Sequence, residues 1–359
     1  MKTFAVVIFI TFMFFMPLAS HAFIALDEPT PPDQPSSGPG GSDYTHDSVI
    51  ENRYGWGAQQ YWIFEPDDPM PESAPLIVFN HGWGAIRPTG YLLWIYHIVK
   101  KGNIVVYPRY ELFLRGSEYF TRNAINAVKN AIQELQKGNH VQPDLDKFAI
   151  VGHSIGGGIT AYMAALAQTE GLPTPKAIMP VQPAYNWTTN PDLSLIPNTT
   201  LMVVVVGASD TTVGMNPGIS IFYEADKIPV DRKDFVIQVT DRYGSPDLIA
   251  SHFAPVCMPG FFSFTVNAMD YYSTWKLFDA LTDYAFYGLN REYCLGNTSE
   301  QRFMGLWSDG TPVKELIVTD TPVDVSPYKI QVIENLCNPY ILERFPLLYL
   351  LLKKLTILQ

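Results

Sequence analysis

Strand-length runs of Val, Ile and Leu recur along this chain with no polar residue every second position: APLIVFN, GNIVVYP, KFAIVG, KAIMPV, TTLMVVVVG and DFVIQV. A strand wetted on one face alternates apolar and polar side chains, so runs without alternation have to be covered on both faces. Helical patterning fills the intervals, from about Tyr119 to Gln136 and again from Gly156 to Ala167. Strand and helix in alternation specify an α/β fold, a mostly parallel central sheet with helices on both faces. No internal repeat of about 20 to 50 residues points to a solenoid. A chain of 359 residues can hold this as one large domain, which we place from residue 43 to residue 359, with a C-terminal extension after about residue 265.

The termini read differently. MKTFAVVIFITFMFFMPLASHAF carries one Lys, an apolar run, Pro17 and then Ser20, His21 and Ala22. This is the layout of a secretory signal peptide, residues 1–22, cleaved after Ala22, and it implies a secreted or periplasmic protein. The apolar run falls short of the ~20 residues of a spanning helix. Residues 23–42, rich in Pro, Gly and Ser, read as an extended leader. At the other end, ILERFPLLYLLLKKLTILQ is interrupted by Pro346, Lys353 and Lys354, which suits a terminal helix packed on the body; interfacial membrane contact is the alternative.

Export permits disulfides, and Cys257, Cys294 and Cys337 leave one thiol unpaired within the chain. A Cys257–Cys294 bridge is the preferred pairing, worth about 4 kcal/mol in the chain-entropy model, with the other two pairings open. A net charge of -11 and the lack of a basic run argue against nucleic acid as a partner. No CxxC or His/Cys cluster suggests a zinc site, and no metal or organic cofactor is expected.

Chemistry enters at FAIVGHSIGGGITAYMAAL, where Gly152, His153, Ser154, Ile155 and Gly156 fit GxSxG between a strand and a helix. That is the context a nucleophile elbow requires: glycines let neighbouring backbone approach a strained turn that exposes the serine. A serine hydroxyl needs a base, and the base needs an acid to hold its tautomer. In this arrangement the order is Ser, then acid, then His, and only His252 follows Ser154 among the histidines. Asp210 directly follows the buried run LMVVVVGAS, at the sheet edge where the elbow opens, and is the preferred acid, with Asp241 and Asp247 in reserve. The Ile155 amide, just after the serine, and the Trp83 amide in NHGWG are the expected oxyanion donors, with His81 and Gly82 shaping that loop.

With these residues assembled, the chain resembles the α/β-hydrolase superfamily, and within it secreted bacterial cutinases and polyester hydrolases and chlorophyllase-like or dienelactone-hydrolase-like esterases. GHSIGGG, GASDTTVG and SHFAP look like the three catalytic blocks of bacterial cutinases, over roughly Pro75 to Phe264. The resemblance of VQPAYNW to a cutinase segment whose Trp lies beside the bound acyl or aromatic group implies Trp187 as a substrate contact. Two features depart from cutinases: HGWG is closer to lipases and chlorophyllase-like enzymes, and a long segment follows SHFAP.

The expectation is therefore a monomeric, cofactor-free serine hydrolase of the α/β-hydrolase fold. It would cleave small-molecule, lipid or polymer esters through an acyl-enzyme, with activity rising as His252 becomes neutral. Thioesterase or peptidase action by the same triad, or a non-catalytic binding module of this fold, are the alternatives.

Overall fold

The computed structural model describes residues 28–111, 117–185, 191–257 and 265–323. The expected signal peptide, Trp187, Cys337 and the C-terminal apolar stretch lie outside the described residues. In chain order the elements are β1 (Ser48–Tyr54), β2 (Tyr61–Asp67), β3 (Ser73–Asn80), α1 (Leu92–Lys100), β4 (Ile104–Pro108), α2 (Phe120–Leu135), β5 (Gln142–His153), α3 (Ile155–Glu170), β6 (Ala177–Val181), β7 (Leu201–Gly207), α4 (Asn216–Glu224), β8 (Lys233–Gln238), α5 (Lys276–Tyr287), α6 (Ser299–Arg302) and β9 (Ile317–Thr319). They build one sheet in the order β1-β2-β4-β3-β5-β6-β7-β8-β9. From β4 to β8 neighbouring strands are parallel, whereas β1, β2 and β9 join antiparallel at the margins.

The uninterrupted apolar runs are explained by two cores, one on each face. Leu76, Val78, Ile150 and Val204 pack with Ile125, Val128 and Ile159 of α2 and α3. Their chain neighbours Ile77, Phe79, Val151 and Val205 pack with Trp94, Ile98, Phe278 and Leu281 of α1 and α5. Successive side chains of one strand thus enter different cores, and neither face can carry a polar residue cheaply.

The aromatic stretch MDYYSTWKLFDALTDYAFYG forms a helix, α5, against the sheet, entered through a π-helical turn at Asp270–Trp275. β9, from the same C-terminal extension, closes the sheet beyond β8.

Two expectations differ from what is observed. Residues 28–44, which include most of the stretch read as an extended leader outside the domain, are a strap docked on the body: Pro29 O accepts from Ser245 N (2.9 Å), Thr30 O from Ser308 N (3.0 Å), and Gly40 N donates to Asp279 Oδ2 (2.8 Å). Proline removes donors and stiffens the chain, so such a segment can dock through its carbonyls without forming a regular element. Cys257 and Cys294 are both buried and are not bonded to each other. Cys257 sits in the loop after His252, its amide on Gly90 O, while Cys294 ends a short helical turn beyond α5 with its thiol toward Arg291 O. Loop-closure entropy says what a bridge would contribute, not whether the two Cβ atoms meet.

Candidate active site

Ser154 stands between the end of β5 and the start of α3 with φ 58° and ψ -126°, a strained conformation for a residue with a side chain. The surroundings hold it there: its amide donates to Val181 O (3.0 Å), and its carbonyl accepts from Gly157 N (2.8 Å) and Ala184 N (2.9 Å). The flanking glycines answer to close approach. A Cβ on Gly152 would fall 2.4 Å from Gly156 O, and one on Gly156 would fall 2.3 Å from Asn80 O and 2.4 Å from His81 O. Any side chain there would push α3 off the neighbouring strands.

At this edge of the sheet three side chains meet. Ser154 Oγ lies 2.9 Å from His252 Nε2, and His252 Nδ1 lies 2.8 Å from Asp210 Oδ2. With the carboxylate at Nδ1, the neutral ring keeps its proton there and leaves Nε2 to accept from the hydroxyl. Burial works to raise the Asp210 carboxyl, but hydrogen bonds from His252 and from the Val213 and Thr212 amides outweigh it and hold the pKa below the ordinary carboxylate value. All three residues are buried. A hydroxyl, imidazole and carboxylate in this row can move a proton off the oxygen as it attacks a carbonyl.

The reserve acids have other partners. Asp241 accepts from Trp307 Nε1 (3.1 Å), the Lys314 amide (3.0 Å) and the Tyr243 amide (3.2 Å), while Asp247 pairs with Arg242 near the surface.

Beside the serine runs the loop after β3. A Cβ on Gly82 would meet Ser154 Cβ at 3.4 Å and Tyr91 Oη at 2.8 Å, so the loop lies against the elbow. Gly82 N donates to Tyr91 Oη (3.0 Å), and Gly84 N donates to the Glu111 carboxylate (3.0 Å). Trp83 sits between these two tethered residues, its side chain exposed. His81 shapes the loop: its ring is wholly buried, stacked on Tyr110 with centroids 4.0 Å apart, and its nitrogens face Gly82 O (2.7 Å) and Arg109 O (2.8 Å). Burial lowers its pKa to about 4, against the pull of the two carbonyl oxygens, which favour the charged ring. Ile155 opens α3, and its amide has no carbonyl one helical turn back to receive it.

Tyr91, His153, Gln182 and Glu111 belong to this site and escaped sequence reasoning. His153 was in view within GHSIG, but only the structure shows what it touches. Gln182 (φ 42°) follows β6 within VQPAYNW, a stretch singled out only for Trp187.

A serine at a strand-to-helix turn, with imidazole and carboxylate supplied by loops at the same end of a mostly parallel sheet, defines an α/β-hydrolase. Comparison of sequences leads to the same class: a family model described as Chlorophyllase matches residues 57–195. The likeness to chlorophyllase-like esterases holds over that span and supports, at a coarse level, a carboxylic ester hydrolase. The span covers the HGWG loop and the elbow, while Asp210 and His252 lie beyond it. No curated protein matches the chain.

Proposed function

We propose that the protein is an exported, monomeric carboxylic ester hydrolase working through an acyl-enzyme. The observation that carries this reading is the row Ser154 Oγ, His252 Nε2 and Nδ1, Asp210 Oδ2, with spacings of 2.9 and 2.8 Å. Ser154 Oγ attacks the ester carbon and passes its proton to His252 Nε2, while Asp210 holds the ring and offsets its positive charge. The amides of Ile155 and Trp83 receive the oxyanion, each worth about 3 kcal/mol in the transition state. The intermediate collapses, and the leaving alkoxide takes the proton from His252 and departs as alcohol. Water then enters, gives a proton to His252 and attacks the acyl carbon; collapse frees the acid and returns the proton to Ser154. Trp187 would contact the acyl group, and cleavage after Ala22 would release the exported form with Phe23 at its N-terminus.

The test is turnover of p-nitrophenyl esters of graded acyl length by wild type and Ser154→Ala, with thioester and peptide substrates alongside. Wild type should hydrolyse esters, and S154A should lose at least about 10⁴-fold in kcat. Turnover surviving in S154A would remove the serine from the mechanism. Failure of a fluorophosphonate to label the wild-type protein would favour the binding module.

A further inference from the structure

His252 belongs to no strand or helix; it sits in a run of turns after β8, so its ring is only as well placed as that loop's backbone. Asp210 fixes the ring from Nδ1 but not the main chain beneath it. The main chain is held from below by buried side chains at the ends of two central strands. His153 Nε2 lies 2.7 Å from His252 O, and Gln182 Nε2 donates to Ser251 O (2.7 Å).

The direction of each hydrogen bond around His153 follows from its surroundings. Burial drives its pKa down to about 3, so the ring is neutral and has one N–H. Its Nε2 faces only acceptors, His252 O and Gln182 Oε1 (3.2 Å), which places the proton on Nε2. Nδ1 must then accept, and its partner is Tyr91 Oη at 2.7 Å, so the phenol donates. The phenol's lone pair is in turn met by Gly82 N–H at 3.0 Å. The chain runs one way: Gly82 N–H to Tyr91 Oη, Tyr91 O–H to His153 Nδ1, His153 Nε2–H to His252 O.

We propose that Tyr91 and His153 are positioning residues, forming a buried hydrogen-bond relay that ties the oxyanion loop at Gly82 to the backbone of His252, so that both halves of the catalytic apparatus are set by one element beneath Ser154. This rests on the triad reading above. The relay acts on geometry and takes no part in proton transfer, so its loss should lower kcat and leave KM nearly unchanged, because a base or oxyanion donor displaced by a fraction of an ångström fails mainly in the transition state.

The experiment compares Tyr91→Phe, His153→Leu and His153→Gln with wild type in ester hydrolysis, melting temperature and the low-field proton resonance of His252 Nδ1–H. H153L removes both ring functions and should lose about 100-fold in kcat with KM within about twofold. Y91F removes one hydroxyl and should lose about 10-fold. H153Q can still offer an N–H to His252 O and should recover to within about fivefold of wild type, a rescue that a space-filling role would not produce. H153L and Y91F, folded and within about twofold of wild-type kcat, would overturn the proposal, as would H153Q no better than H153L. Should H153L not fold, Y91F and H153Q decide. Should the wild type neither hydrolyse esters nor take up a fluorophosphonate, the function is wrong, and the resonance alone judges the relay: unchanged in Y91F and H153Q, it refutes it; weakened in Y91F and kept in H153Q, it upholds it.

Discussion

Two buried aspartates show how partners decide the state of a carboxyl. Burial raises both Asp210 and Asp270, but Asp210 accepts from an imidazole and two amides and ends below the ordinary value, whereas Asp270 accepts from the Asn267 amide (2.9 Å) and is pushed up from 3.8 to about 8. The fold therefore favours the neutral acid at Asp270. Its contribution to stability is complete below the ordinary pKa of 3.8 and is lost as the pH rises through about 8. Asp270→Asn removes that dependence, so the variant's melting temperature should gain steadily on wild type from about pH 5 to about pH 8. A constant offset across that range would show that Asp270 does not titrate there. Asp210 has the opposite sign: its stabilisation is present above the ordinary 3.8 and is lost as the pH falls through its lowered value.

At the scale of elements, the contact between α3 and the ends of β3 and β5 is the tightest constraint on the site. Gly156→Ala would set a Cβ 2.3 Å from a main-chain oxygen of the strand that leads into the oxyanion loop. Backbone cannot rotate out of the way as a side chain can, so the helix or the loop must move. G156A should cost about 2–3 kcal/mol in urea unfolding and lower kcat as well, since the same shift displaces the Ile155 amide. Gly138→Ala is the control: a Cβ there meets nothing within 4 Å, and it should leave both measurements unchanged. Equal behaviour of the two variants would mean that the elbow tolerates a side chain and that its glycines have another cause.

On the scale of the whole molecule, the N-terminal strap, the loop after β8 and the C-terminal extension fasten one another. Asp241 accepts from the Trp307 indole and the Lys314 amide of the extension, while the Ser245 amide, a few residues on, donates to Pro29 O of the strap. Asp241→Ala would strand the buried Trp307 indole and free the Lys314 amide, and should cost about 3 kcal/mol in chemical denaturation, with kcat of the folded protein kept within a few-fold. Asp210→Ala should do the reverse, abolishing turnover with a smaller loss of stability, so the pair separates the acid of the site from the acid of the scaffold. What the amino-acid sequence determined by itself was whatever depends on local pattern: two-sided burial from unbroken Val and Ile runs, the elbow from GHSIG between a strand and a helix, and His252 by elimination. Asp210 could be preferred over Asp241 in the sequence because the residue just past a parallel strand has its place set by the strand; the structure sets its Oδ2 2.8 Å from His252 Nδ1. Tertiary structure alone decided the antiparallel margins, the strap, the separation of Cys257 from Cys294 and the Tyr91–His153 relay. Each of these depends on which distant backbone atoms come within about 3 Å, and an orphan buried donor takes whichever acceptor the packed fold presents, a matter on which neighbouring residues in the chain are silent.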